Sequence, residues 1–166
     1  MFTYKKSFSC LFLLLAVLFS CTKDKGFGTK SDAIPGNAIT VQNATDYRPD
    51  PTVTTSMTGG GNIQIVLSLP KNSKRTIKEI TKVAASTSYT KIQGTSGSYV
   101  TGAIAGSGTT VTFTTTLTEY FTKIPVSASN PAAKADTELT NRFYFKVTLD
   151  DNTTIITPGV RILVLT

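Results

Sequence analysis

Through the later part of the chain, apolar residues recur at every second position in short runs, with polar residues between them. In Asn62-Ile63-Gln64-Ile65-Val66-Leu67-Ser68-Leu69, residues Ile63, Ile65, Leu67 and Leu69 fall on one side and Gln64 and Ser68 on the other. Pro70 and Asn72 end the run. Successive side chains of a strand point to opposite faces, so this spacing predicts a half-buried strand. Thr110 to Leu117 repeats the pattern more loosely, with Val111, Phe113 and Leu117 inward. The clearest pair comes last. Phe143, Phe145, Val147 and Leu149 share one face, Asp150-Asp151-Asn152 turns the chain, and Val160, Ile162 and Val164 return. That pattern predicts a hairpin. Pro158-Gly159 predicts a bulge or bend in its second arm, because proline cannot donate a ladder bond and glycine tolerates unusual dihedrals.

Thr76 to Val83 places Ile77, Ile80 and Val83 three apart, a spacing that suits either a bulged strand or a helical turn. Its Thr, Val and Ile content, with no cap or stop signal, favours the strand. Tyr89 to Ile92 and Ser98 to Val100 are shorter strand candidates between glycine-rich breaks. Leu117 to Phe121 closes a corner, and Pro125 to Asp136 reads as a long loop. About seven short strands separated by turn signals predict an all-β fold, an antiparallel β-sandwich. No internal repeat suggests a solenoid.

The N-terminal segment follows a different rule. Lys5 and Lys6 precede an unbroken apolar run, Leu11 to Phe19, and the small residue Ser20 closes it. That order is a secretion signal. As a helix the run reaches about 14 Å at roughly 1.5 Å per residue, too short for a bilayer core of about 30 Å. The next residues, Leu18-Phe19-Ser20-Cys21, resemble a lipobox, the signal at which bacterial lipoproteins are cut and lipidated. An aliphatic residue three before the cysteine and a small one just before it fit; Phe19 is larger than the pattern usually holds. The resemblance implies cleavage before Cys21 and acyl chains on that residue, anchoring the chain to a membrane. Each buried methylene contributes about 0.8 kcal/mol, so two or three chains hold firmly. Cys10, inside the signal, has too little apolar sequence before it to serve.

The expected organisation is therefore a signal peptide at 1–20, a lipidated cysteine with a flexible tether at 21–37, and a β-sandwich at 38–166 with its core at about 60–166. The tether is charged, rich in glycine and poor in large apolar residues, so it cannot bury enough to fold. Its Lys23-Asp24 pair resembles the export signal of surface lipoproteins in the Bacteroidota, although such signals usually carry more acid.

Leu139, Phe143, Phe145 and Val147 with the final strand resemble the last hairpin of immunoglobulin-like or fibronectin type III-like domains. The stretch from Ser68-Leu69-Pro70 through Ile77-Lys78-Glu79-Ile80 to Thr148-Leu149-Asp150-Asp151-Asn152 and Val160-Arg161-Ile162 is similar to small Bacteroidota surface lipoproteins with such a domain. These are often encoded near glycan-uptake systems of the starch-utilisation type. That resemblance implies an immunoglobulin-like sandwich and an outer-membrane location, at the cell surface or the periplasmic face. It also implies a binding or assembly role beside an uptake complex. An antibody-type core is excluded, because the chain has no tryptophan and no second cysteine after Cys21.

Composition narrows the chemistry. The chain holds no histidine and, after lipidation, no free thiol, so His- or Cys-based triads and the usual zinc sites are impossible. No cofactor and no metal are expected. Among the carboxylates, Asp24 and Asp32 lie in the tether, and Glu79 and Glu119 stand apart from other acids in sequence. The expectation is a non-enzymatic protein with a binding or assembly role; the alternatives are a glycan-binding module, a structural spacer or adhesin, and a two-carboxylate hydrolase. Asp150-Asp151-Asn152 suits either calcium or a hairpin turn, and the turn is favoured. Gly106-Ser107-Gly108-Thr109-Thr110 lacks the lysine and the following helix of a phosphate loop, and reads as a turn.

The formal charge is +7, from 17 basic and 10 acidic residues. Loss of Lys5 and Lys6 with the signal leaves 17 − 2 − 10, about +5. The basic residues Lys71, Lys74, Arg75, Lys78 and Lys82 have no interleaved aromatic rings to stack on bases, so no nucleic-acid partner is expected. The expected partners are the membrane, through Cys21, and an unidentified protein or glycan. For a glycan, the candidate stacking rings are Tyr89, Tyr99 and Tyr144. Tyr144 lies on the opposite face of its strand from Phe143 and Phe145, hence outward if those fill the core.

Overall fold

A computed structural model describes residues 38–47 and 49–166. The expected signal peptide, Cys21 and the tether lie outside the described residues.

Ten strands build the described region. They are β1 (Thr40–Val41), β2 (Thr52–Ser56), β3 (Asn62–Ser68), β4 (Ile77–Ser86), β5 (Ile104–Ala105), β6 (Thr110–Thr116), β7 (Thr137–Glu138), β8 (Arg142–Leu149), β9 (Thr154–Ile156) and β10 (Arg161–Leu165). Two short helices interrupt them, α1 (Thr90–Gln93) and α2 (Leu117–Lys123). One sheet has the order β1-β3-β6. The other runs β5-β4-β8-β9, and an isolated bridge, Phe143 to Val160, carries it into β10, which pairs with β2 and β7. The chain crosses between the sheets at β1–β2, β2–β3, β3–β4, β5–β6 and β6–β7, giving the expected all-β sandwich.

The alternation read in the sequence is the reason these strands pack. Ile63, Ile65 and Leu67 of β3, Val111 and Phe113 of β6, and Phe143, Phe145, Val147 and Leu149 of β8 all point into one core with Ile162 and Val164 of β10. Phe113 is its centre, with ring centroids 5.4 Å from both Phe143 and Phe145. Each such side chain contributes about 1.5–3 kcal/mol on burial.

The ambiguous stretch from Thr76 to Val83 is a strand, and its spacing of three has a geometric cause. The pairing of β4 with β8 shifts register between Ile77 and Glu79 and again between Ile80 and Lys82. Each shift adds a residue, so Ile77, Ile80 and Val83 all turn inward despite being three apart.

The final hairpin is also bulged where expected. From Lys146↔Ile156 to Phe143↔Val160, β8 advances three residues while its partner advances four. Thr157 fills the irregularity: its N–H donates to Phe145 O at 3.0 Å and its hydroxyl accepts from Phe145 N at 3.1 Å. Gly159 is required by close approach, since a Cβ there would lie 2.9 Å from Cε1 of Tyr144.

Five details differ from the expected pattern. The strand count exceeds seven because β1, β5, β7 and β9 are only two or three residues long. The pairing is not wholly antiparallel, since β2 runs parallel to β10. That follows from the path of the chain: β1 pairs with β3 in one sheet, and after residues 42–51 the chain joins the other sheet as β2. Tyr89 to Ile92 is not a strand but the start of α1, and Ser98 to Val100 forms no strand. Leu117 to Phe121, expected as a corner, is helical, capped by Thr116, whose side chain accepts from Glu119 N.

The sandwich has two distinct ends. The Thr40↔Ser68, Ile77↔Leu149 and Ser68↔Thr110 pairs lie at the end where the chain enters. The Asn62↔Thr116, Ser86↔Arg142 and Leu165↔Ser56 pairs lie at the other, where both helices and the longest loops gather.

Candidate functional site

At the end away from the chain entry, a groove of about 420 Å³ runs between residues 97–101 and the end of α2. Gly97, Ser98, Tyr99 and Thr101 line it, facing Lys123 and Ile124, with Ala85 of β4 also contributing.

Lys82 sets the first wall. Its side chain is 7% exposed, and its ammonium donates to the carbonyls of Lys91 at 3.0 Å, Gly94 at 2.5 Å and Ser96 at 2.8 Å. An ammonium has three protons, and all three are used. It therefore caps the C-terminal end of α1 and fastens the loop that leads to Tyr99. A single lysine on the outer face of a strand gives no sequence sign of this role; its neighbours read as surface charge.

Tyr99 follows, tied down by its N–H to Val83 O at 2.7 Å. Its ring packs edge-on against Phe113 and Phe143, at 5.9 and 5.3 Å. Its hydroxyl meets that of Thr115 at 2.8 Å, and the Thr115 hydroxyl donates to Oε2 of Glu119 at 2.9 Å. Lys123 closes the chain of contacts: Nζ donates to Oε1 of Glu119 at 2.6 Å and to Tyr99 O at 2.7 Å, and sits 4.3 Å from the centre of the Tyr99 ring. Burial pushes the Tyr99 phenol up to about 12, so it is neutral at physiological pH. Hydrogen bonds from Lys123 and Thr115 hold the Glu119 carboxyl below the usual range, so it is ionised there. The groove thus presents an internally paired charge and a rim of hydroxyl and backbone groups.

The other wall rests on Tyr120, which is fully buried. Its hydroxyl donates to Oδ1 of Asn130 at 2.9 Å and accepts from Nδ2 of Asn141 at 2.8 Å. Asn130 Nδ2 in turn donates to Ile124 O at 2.9 Å, holding the long loop against α2. Burial raises the Tyr120 phenol.

The three candidate stacking tyrosines do not form one exposed face. Tyr99 belongs to the core, 7% exposed. Tyr144 does point away from Phe143 and Phe145, but it is 5% exposed, because Ile92 of α1 and Ala84 cover it. Only Tyr89 is open to solvent, and it meets Tyr144 edge-on at 5.8 Å. The sequence placed Tyr144 on the correct side of its strand and missed the helical turn that lies over it.

The acidic clusters resolve into structure. Arg75 bridges Asp150 at 3.0 Å and Asp151 at 2.6 Å, and Lys78 Nζ reaches Asn152 Oδ1 at 3.0 Å. Asp151 Oδ1 also accepts from Thr153 N at 2.9 Å, and Asn152 holds a φ of 65°. These oxygens stabilise a tight turn. Among the described residues, no three histidine, cysteine or acidic side chains gather as metal ligands. Gly106 to Thr110 is likewise a turn, closed by reciprocal backbone bonds between Ser107 and Thr110 and leading into β6. Comparison with protein-family models and with curated protein sequences gave no match.

Proposed function

We propose that this chain is a lipid-anchored bacterial lipoprotein, cut before Cys21, whose β-sandwich has a non-catalytic binding or assembly role. The observation that carries this reading is Leu18-Phe19-Ser20-Cys21 at the end of a lysine-led apolar segment. A secreted chain with one cysteine beyond its signal has no disulfide partner for it, and lipidation gives that residue a use. Resemblance to Bacteroidota surface lipoproteins extends the reading to the outer membrane and to a place beside an uptake complex.

The non-catalytic part is supported by how five of the eight acidic groups among the described residues are engaged. Asp50 pairs with Arg142, Glu138 with Arg161, Asp150 and Asp151 with Arg75, and Glu119 with Lys123. Of these, Glu119 is held below the usual carboxylate range by its hydrogen bonds from Lys123 and Thr115, and such a group is a poor proton donor.

The experiment compares the full chain with its Cys21→Ser variant in a bacterial host. The wild type should follow the membrane fraction and extract into detergent, and the variant should lose that behaviour. Equal partitioning of the two would overturn the proposal.

A further inference from the structure

Open sheet edges are templates for another strand, and proteins usually blunt them with charge, proline, bulges or brevity. Here β1, β5 and β7 are two residues long and β9 three. The edge of β2 is partly covered, since Thr52 exchanges backbone bonds with Thr45 and Asp46. The outer edge of β6 has none of these protections. It is seven residues long, Thr-Val-Thr-Phe-Thr-Thr-Thr, with unbroken register against β3 and no charge, proline or bulge.

The register identifies which groups are open. Leu117 N donates to Gly61 O and Leu69 N to Thr109 O, so odd-numbered β6 residues face β3. Thr112 and Thr114 therefore turn their N–H and C=O groups to the free edge, and neither residue has a partner there among the described residues. Thr110 is already engaged with Ser107.

The surroundings say what can approach. From Ile92 to Thr118 the sequence has no acidic or basic residue, in a chain of net charge +7. This segment contains both β5 and β6, the neighbouring edges of the two sheets, joined by the turn at Gly106–Thr109. Two like-charged copies meet here without facing charges.

We propose that β6 is a self-association edge, at which two copies pair antiparallel about a two-fold axis through Phe113. That register sets Thr112 opposite Thr114 of the second copy and Thr114 opposite its Thr112, each pair exchanging both backbone bonds. It uses all four open groups of these two residues, and shifting the axis to Thr112 or Thr114 strands some of them. Thr–Thr cross-strand pairs are favourable neighbours. The two-fold sends the chain entries at Thr40 to opposite ends of the pair. If both copies are lipid-anchored, residues 21–39 span up to about 60 Å when extended, enough to reach one bilayer past a sandwich whose longest strand is about 34 Å.

The test uses two differently tagged full chains, one Thr112→Cys and one Thr114→Cys, co-expressed and mildly oxidised. Directly opposed residues of such a pair lie about 5.5 Å apart, within disulfide reach. A mixed-tag disulfide dimer is expected, with little from either variant alone or from the wild type. Absence of the mixed dimer, or equal yield from single variants, overturns the proposal. Sedimentation of the full chain in detergent supplies the second readout. The wild type should have twice the protein mass of Thr114→Pro, which removes an outward N–H and no β3 bond. Thr112→Lys replaces the proline variant if circular dichroism shows the latter unfolded. A monomeric wild type, a variant that still pairs, or open-ended polymers would each refute the two-fold pairing.

Discussion

Replacing Lys82 with methionine tests how the groove's first wall is held. The change keeps a long side chain and removes an ammonium that donates to three carbonyls, those of Lys91, Gly94 and Ser96. Hydrogen bonds to a charged group contribute about 1.5–3 kcal/mol each, a gross loss of about 5–9 kcal/mol. Removing a buried ammonium recovers several kcal/mol of desolvation. Lys91, Gly94 and Ser96 are themselves exposed, so water reaches part of what is left unpaired. The net is a destabilisation of about 1–3 kcal/mol, or about 4–12 °C in Tm for a domain of this size. Calorimetry gives the global figure. Amide exchange gives the local one: protection should fall first across Lys91 to Tyr99, with β3 and β6 unaffected below the melt. A Tm within about 2 °C of the wild type, with unchanged exchange over that segment, would refute the capping role.

Three further outcomes follow from the same geometry. Tyr99 keeps its proton to about pH 12 when folded, whereas an unfolded tyrosine releases it near 10. Folded stability is therefore lost as pH rises through that window, and denaturant midpoints at pH 9 and 11 should fall more for the wild type than for Tyr99→Phe. Gly106→Ala should destabilise by at least about 1–3 kcal/mol, because its Cβ would lie 2.1 Å from the carbonyl oxygen of Ile77; chemical denaturation measures it. Arg75→Ala should cost no more than about 1 kcal/mol in the same assay, since its partners Asp150 and Asp151 are exposed and its own side chain is partly so.

Much of the fold was legible because strand alternation is a local signal. Ile63 to Leu67, Val111 to Phe113 and Phe143 to Leu149 sit inside as their spacing required, and Pro158-Gly159 marked a true bulge. The missed elements are those in which tertiary contacts override local preference. Thr90 to Gln93 turns into a helix where Lys82, eight residues upstream in sequence, supplies its cap. Thr52 to Ser56 lacks large apolar residues, and as a strand it depends on its parallel pairing with β10. The candidate site was less legible still. Ring counting identified Tyr99 and Tyr144 as aromatic without showing that one fills the core and the other is roofed. No local pattern links Lys82 to residues 91–96, or Tyr120 to Asn130 and Asn141.

The account depends most on the fate of Cys21, and intact mass spectrometry of the mature chain from bacterial membranes tests it directly. A chain beginning at Cys21 and heavier than its peptide mass by a set of acyl groups on that residue is the predicted result. A chain that starts elsewhere, or one that starts at Cys21 with an unmodified thiol, would contradict it.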